Sequence, residues 1–159
     1  MKGKRRRKSN LFEFYSSKLY LFYVKTIQTF KTNTKMKKVI ASPLAPKAVG
    51  PYSQAIAHDT TLYISGQLPI DGATGKMAEG VEAQTRQALT NLGYILNEAG
   101  YSFDDVAKTT VLLANIADFG AMNAIYAEFF TGDKPARICY QVGALPMGAL
   151  VEIDAIAIK

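Results

Sequence analysis

The sequence predicts an α+β fold, a mixed β-sheet with two helices on one face. Short apolar or alternating runs recur at both ends of residues 36–159. Between them, two stretches carry apolar residues at spacings of three and four. Turn residues separate these segments, and the order reads β-β-β-α-β-α-β-β.

Lys37–Ser42 is a short strand before Pro43, and Pro46 to Pro51 is turn-rich. Ser53–His58 and Thr61–Ser65 form a hairpin around Asp59-Thr60. Gly66 to Gly75 is loop, with Pro69, Asp71-Gly72 and Gly75 as breakers. A helix runs from Val81 to Ala99, with Val81, Thr85, Ala88, Leu92, Ile95 and Ala99 on its inner face. Gly100 stands where a C-terminal glycine belongs.

Val106–Ala114 is rich in Val, Thr and Leu and reads as a strand. Asp118 is the expected cap of a second helix to Phe130, with Phe119, Met122, Tyr126 and Phe129 facing inward. Ala136–Val142 is a strand with Ile138, Tyr140 and Val142 on one side, and Arg137, Cys139 and Gln141 on the other. Leu145–Gly148 turns the chain into a last apolar strand, Leu150–Ile158. Two helices cover only one face of such a sheet. The other face is expected to pack against a second copy, which makes an oligomer.

The net charge of +6 misleads. Residues 1–35 hold ten Lys/Arg and one acid, whereas residues 36–159 hold nine and twelve. The first segment is therefore +9 and the second −3. Composition breaks at the same place: residues 1–35 contain no Ala, Pro or Asp, and residues 36–159 contain 21 Ala. Residues 1–35 read as a basic extension outside the fold, disordered or not translated, and residues 36–159 as one domain. Three readings of the extension stay open: an Arg-rich transit peptide, a phosphate-contacting cluster at Lys4–Lys8, or a segment with no role upstream of a start at Met36. Nucleic acid is a poor partner for the acidic domain and a possible one for the tail. The expected location is cytoplasmic, or organellar if the tail is a transit peptide.

One Cys and one His exclude a disulfide framework and a thiolate zinc cluster, so no metal is expected. No apolar run approaches the roughly 20 residues of a membrane span.

Arg137 and Glu152 are the unusual residues, since each is a charge within an apolar strand. Burying an unpaired charge is costly, so each needs a partner or a ligand. If the last two strands form a hairpin, Glu152 lies opposite Gln141 and projects from the same face as Arg137 and Cys139. That register is an expectation; a slip of one residue reverses it. One reading is an Arg–Glu pair that holds strands or subunits together. The other is a guanidinium that clamps a carboxylate beside a carboxylate that moves a proton. Tyr52 follows the Gly50-Pro51 turn and can reach a ligand or simply pack. Gly66, after Ser65, lets a ligand approach the backbone. Asn123 on the second helix is expected to hydrogen-bond to a loop. Cys139 reads as inert packing, and His58 as an exposed turn residue.

At these residues the sequence resembles the RidA/YjgF/UK114 family of reactive-intermediate deaminases. The stretches are Gly50-Pro51-Tyr52-Ser53-Gln54, Ile64-Ser65-Gly66-Gln67-Leu68-Pro69, Lys108-Thr109-Thr110-Val111 and the helix from Asp118 to Phe130. The most specific are Pro135-Ala136-Arg137-Ile138-Cys139 and Val151–Ala157. The resemblance spans Met36–Lys159. Ile138 stands where the family usually has a smaller residue, on the face opposite Arg137.

The resemblance implies a homotrimer of chorismate-mutase-like (YjgF/UK114) fold with clefts between subunits. It implies cofactor-independent hydrolysis of 2-iminoacids (2-iminopropanoate/2-aminoacrylate and 2-iminobutanoate) to 2-ketoacids and ammonia. It assigns catalysis to Arg137 and Glu152, and substrate binding to Tyr52, Ser65, Gly66, Cys139 and Asn123. Some members are described instead as ribonucleases, translation inhibitors or chaperone-like proteins.

Overall fold

The computed structural model describes residues 37–159; the extension read at residues 1–35 lies outside them. The strands are β1 (Lys38–Ile40), β2 (Ala55–His58), β3 (Thr61–Gln67), β4 (Val106–Leu113), β5 (Ala136–Gln141) and β6 (Val151–Ile158). The helices are α1 (Val81–Glu98), between β3 and β4, and α2 (Phe119–Phe129), between β4 and β5. This is the element order expected from the sequence. The six strands form one sheet in the order β1-β2-β3-β6-β4-β5. All pairs are antiparallel except β4 with β5. That parallel pair needs a crossover, and α2 supplies it.

The β2–β3 hairpin turns at Asp59, whose φ of 52° suits Asp better than most side chains. α1 ends at Gly100, with φ 78°. Its inner face buries Ala88, Leu89, Leu92, Ile95 and Leu96. Two polar side chains on that face tie down loops. Asn91 Nδ2 donates to the carbonyls of Leu68 and Ile70, and Gln84 Oε1 accepts from the Leu150 amide. A buried amide is tolerated because it is fully bonded.

α2 differs from expectation at its start. A 3₁₀ turn at Ile116–Asp118 precedes it, and Asn115 caps that turn by accepting from the Ala117 amide at 3.0 Å. Asp118 is helical in conformation and makes no side-chain cap. Met122 and Tyr126 are buried as expected, but Phe119 is partly exposed. β3 runs two residues further than expected, because a bulge lets it continue past Ser65.

Both helices lie on the face of the sheet that carries Leu62, Ile64, Val111, Leu113, Val151, Ile153 and Ala155. The opposite face carries Tyr63, Ile138, Tyr140 and Ile158, each about half exposed (47–51%).

Candidate active site

β4 lies between β5 and β6, so these two strands do not form the expected hairpin. Arg137 aligns with Thr109 and Ala155, and Cys139 with Val111 and Ile153. These positions share the helix-covered face. Glu152 aligns with Leu112 and, through it, with Tyr140, on the bare face. Within one chain Glu152 therefore points away from Arg137 and Cys139. Gln141 aligns through Leu113 with Val151, not with Glu152. The expected register is off by one residue, which inverts the face.

Arg137 stands at the edge of the covered face, against α2. Its guanidinium carbon lies 4.6 Å from the ring centre of Tyr126 and 5.7 Å from that of Phe119. The aromatic faces hold the cation without consuming its N–H donors. Among the described residues Arg137 has no carboxylate partner. Tyr126 is itself fixed: its hydroxyl and that of Thr109 are 2.8 Å apart, and its ring stacks on Phe130 with centres 4.4 Å apart. Burial raises the Tyr126 phenol pKa, so the ring stays neutral beside the cation. Arg137, Asn123, Tyr126, Ala127, Lys134 and Pro135 line a cleft of about 500 Å³. Asn123 faces this cleft and makes no side-chain hydrogen bond to a loop among the described residues. Burial raises the Cys139 thiol pKa, and the Arg137 charge opposes that only in part. A protonated thiol is a poor nucleophile.

Glu152 sits over the bulge in β3. A Cβ placed on Gly66 would lie 2.1 Å from Glu152 Oε1 and 2.9 Å from its carboxyl carbon. Gly66 is thus the one residue that leaves room for this carboxylate. Burial, and then the charge of Asp154, raise the Glu152 pKa above the usual carboxylate value. Asp154 is anchored by accepting from the Thr110 amide at 3.0 Å.

Ser65 locks the bulge to the preceding loop. Its hydroxyl donates to the Ser53 carbonyl at 2.7 Å, and its amide to the Gln54 carbonyl at 3.0 Å. Gln54 is buried and bonded at both ends, from the Ser42 amide and to the Pro46 carbonyl, each at 2.7 Å. Tyr52 is half exposed on that loop and lines a second cleft of about 390 Å³ with Ser53 and Gln54.

The expected site residues thus fall into two groups on one chain. Arg137, Cys139 and Asn123 belong to the covered face and α2. Glu152, Gly66, Ser65 and Tyr52 belong to the β3 bulge and the loop beside it. Sequence reasoning missed Thr109 and Tyr126 as supports of Arg137. The available signal was a hydroxyl at Thr109, alternating with Val111 and Leu113 on a core-facing strand. His58 is exposed in its turn, 3.6 Å from the Asp59 carboxylate. Among the described residues, no group of three His, Cys, Asp or Glu side chains is placed to hold a metal. No described helix is long and apolar enough to cross a membrane.

The family model described as "Endoribonuclease L-PSP" matches residues 42–159. The chain belongs to the endoribonuclease L-PSP (YjgF/RidA) family. This confirms the resemblance read from its motifs. The mouse protein named 2-iminobutanoate/2-iminopropanoate deaminase is 53% identical over 125 residues, which cover 78% of this chain and 93% of that one. An Arabidopsis thaliana protein named Reactive Intermediate Deaminase A, chloroplastic, is 48% identical over 76% of this chain and 65% of that one. Among solved structures, E. coli TdcF with bound serine superposes with a TM-score of 0.75 at 37% identity, over 77% of this chain and 98% of that one.

Proposed function

We propose that the chain hydrolyses small 2-iminoacids, such as 2-iminopropanoate and 2-iminobutanoate, to 2-ketoacids and ammonia. The observation that carries this is Arg137: a guanidinium seated on aromatic rings, in a cleft, with no carboxylate of its own among the described residues. It would take the substrate carboxylate bidentately. The activity named for relatives at about 50% identity supports the same reading.

Glu152 would complete the site from a second copy. It lies on the opposite face of the sheet from Arg137, so one chain cannot present both to one small substrate. The apolar bare face supports self-association, because Tyr63, Ile138, Tyr140 and Ile158 otherwise stay in water. A closed homotrimer, as the resemblance implies, would place the bulge of one copy against the α2 cleft of the next. Gly66, Ser65 and Tyr52 would then wall the substrate from one side, and Asn123 and Cys139 from the other.

In the chemical step, water adds to the C=N carbon. Glu152 accepts a proton from that water and returns it to the nitrogen. Glu152 then takes the carbinolamine hydroxyl proton and passes it to the amine, the C–N bond breaks, ammonia leaves and C=O forms. A carboxyl of raised pKa is suited to both halves of this transfer. Holding water and imine together supplies much of the rate gain. The atoms balance with water as the sole co-substrate.

The test is Arg137→Ala with iminoacids generated in situ. Loss of 2-ketoacid release with the assembly intact is expected; full activity would sink the proposal. The basic residues 1–35 support an organellar destination, and the chloroplastic relative accords with that. Without import the domain would work in the cytoplasm. Imaging the full chain against one that starts at Met36 separates the two. Comparing their RNA binding tests the tail as a nucleic-acid contact.

A further inference from the structure

The Arg137 cleft holds a second cation that the hydrolysis above does not use. Lys134 lines it together with Arg137, and no carboxylate is among the lining residues. Lys134 is exposed, and its ammonium is tethered to the main chain. It donates to the carbonyls of Phe130 and of Gly132, the latter at 3.0 Å. Phe130 is the residue that closes α2, so one carbonyl at the negative end of the helix dipole and one in the loop that follows hold the ammonium. An ammonium has three donors, and these two bonds leave one for a ligand.

Two cations fixed by separate means thus line one cleft. Arg137 is held by aromatic faces and Lys134 by main-chain carbonyls at and just beyond the end of α2. Neither forms an ion pair among the described residues. A substrate with a single carboxylate satisfies Arg137 and leaves Lys134 without a counter-charge. The volume of about 500 Å³ admits more than a three-carbon acid.

We propose that Lys134 determines specificity, and that the cleft takes 2-iminoacids and 2-ketoacids carrying a second carboxylate on the side chain. This rests on the reading of Arg137 as the clamp for the first carboxylate. The α-carboxylate pairs with the Arg137 fork, and the distal carboxylate accepts the remaining Lys134 donor.

Calorimetric binding to the full-length protein tests it with two five-carbon acids, 2-oxoglutarate and 2-oxopentanoate, which differ by one carboxylate. The wild type should favour 2-oxoglutarate about tenfold, the worth of one hydrogen bond between charged groups. Lys134→Met should erase that preference, and Lys134→Arg should keep it. A wild type without the preference overturns the proposal, as does a preference unchanged in Lys134→Met. Equal loss of both ligands in Lys134→Met, with Lys134→Arg the same, also overturns it. A parallel assay of ammonia release uses the matching iminoacids made in situ. If no iminoacid is turned over while the binding preference stands, the deaminase reading fails and the dicarboxylate site survives.

Discussion

On one face of the sheet, Val111, Val151 and Ile153 are fully buried beneath α1 and α2. On the other, Tyr63, Ile138 and Tyr140 stand about half exposed. The covered face closes its own core, and Arg137 sits at its edge against α2. The bare face carries two carboxylates, Glu152 and Asp154, among those half-exposed apolar residues. The contrast teaches that the chain closes its core on one face and divides its two unusual strand charges between the faces, Arg137 on the covered one and Glu152 on the bare one. On the bare face, burial first and the neighbouring Asp154 charge second raise the Glu152 pKa.

The largest expected effect separates the two faces directly. Ile153→Ala should cost about 2–5 kcal/mol of stability, because it opens a cavity in a closed core. Ile138→Ala should cost the single chain about 0.5 kcal/mol or less, as for any surface truncation. Its effect should appear instead as weaker self-association on dilution. Denaturant titration and analytical ultracentrifugation measure the pair; equal stability losses at both sites would erase the distinction.

Gly66→Ala should come next. Its Cβ would overlap the Glu152 carboxyl, and a displaced catalytic group costs on the order of a hundredfold in rate. Far-ultraviolet circular dichroism should remain that of the wild type. Unchanged kcat/KM would show that the Glu152 position is unimportant.

Glu152→Gln sharpens the electrostatic half of the contrast. The folded pKa of Glu152 lies above its unfolded value, because burial and Asp154 both disfavour the charge. The folded state therefore holds this proton more tightly than the unfolded one. The group costs nothing below the unfolded pKa, and stability falls as pH rises through the folded pKa. Glu152→Gln should lose iminoacid hydrolysis yet melt higher than wild type at pH 8, with the gain vanishing toward pH 4. A gain that instead grew toward acid would contradict the assigned shift.

The smallest effect is expected at Thr109→Val. It removes the hydroxyl beside Tyr126 and leaves a buried phenol unpaired, for about 1–2 kcal/mol. KM should rise more than kcat falls, since the Arg137 seat loosens while Glu152 is untouched. A fall in kcat at constant KM would count against this positioning role.

Much of this was legible beforehand. The spacing of Ala88, Leu92 and Ile95 located α1, and Gly100 located its end. Alternation in β5 separated Arg137 from Ile138 and predicted that the two face opposite ways, as they do. The half-covered sheet was also foreseeable, since two helices cannot cover both faces. The loop pins at Gln84 and Asn91 were not read, because a polar residue on an apolar stripe has no visible partner in a sequence. Asp118 looked like a cap because Asp commonly is one; Asn115 took that place three residues earlier, at the 3₁₀ turn.

The sequence by itself determined the elements, their order and which residues share a face within each strand. Those follow from local periods of two and 3.6, which need no knowledge of neighbours. It also marked Arg137 and Glu152 as charges that apolar strands could not hold without a partner. Only the tertiary structure decided that β4 inserts between β5 and β6, and so that these two charges point apart. Strand order depends on the crossover through α2 and on burial summed over the whole core. Alternation says nothing about parity between strands that are not adjacent, and one residue of register is enough to move Glu152 across the sheet.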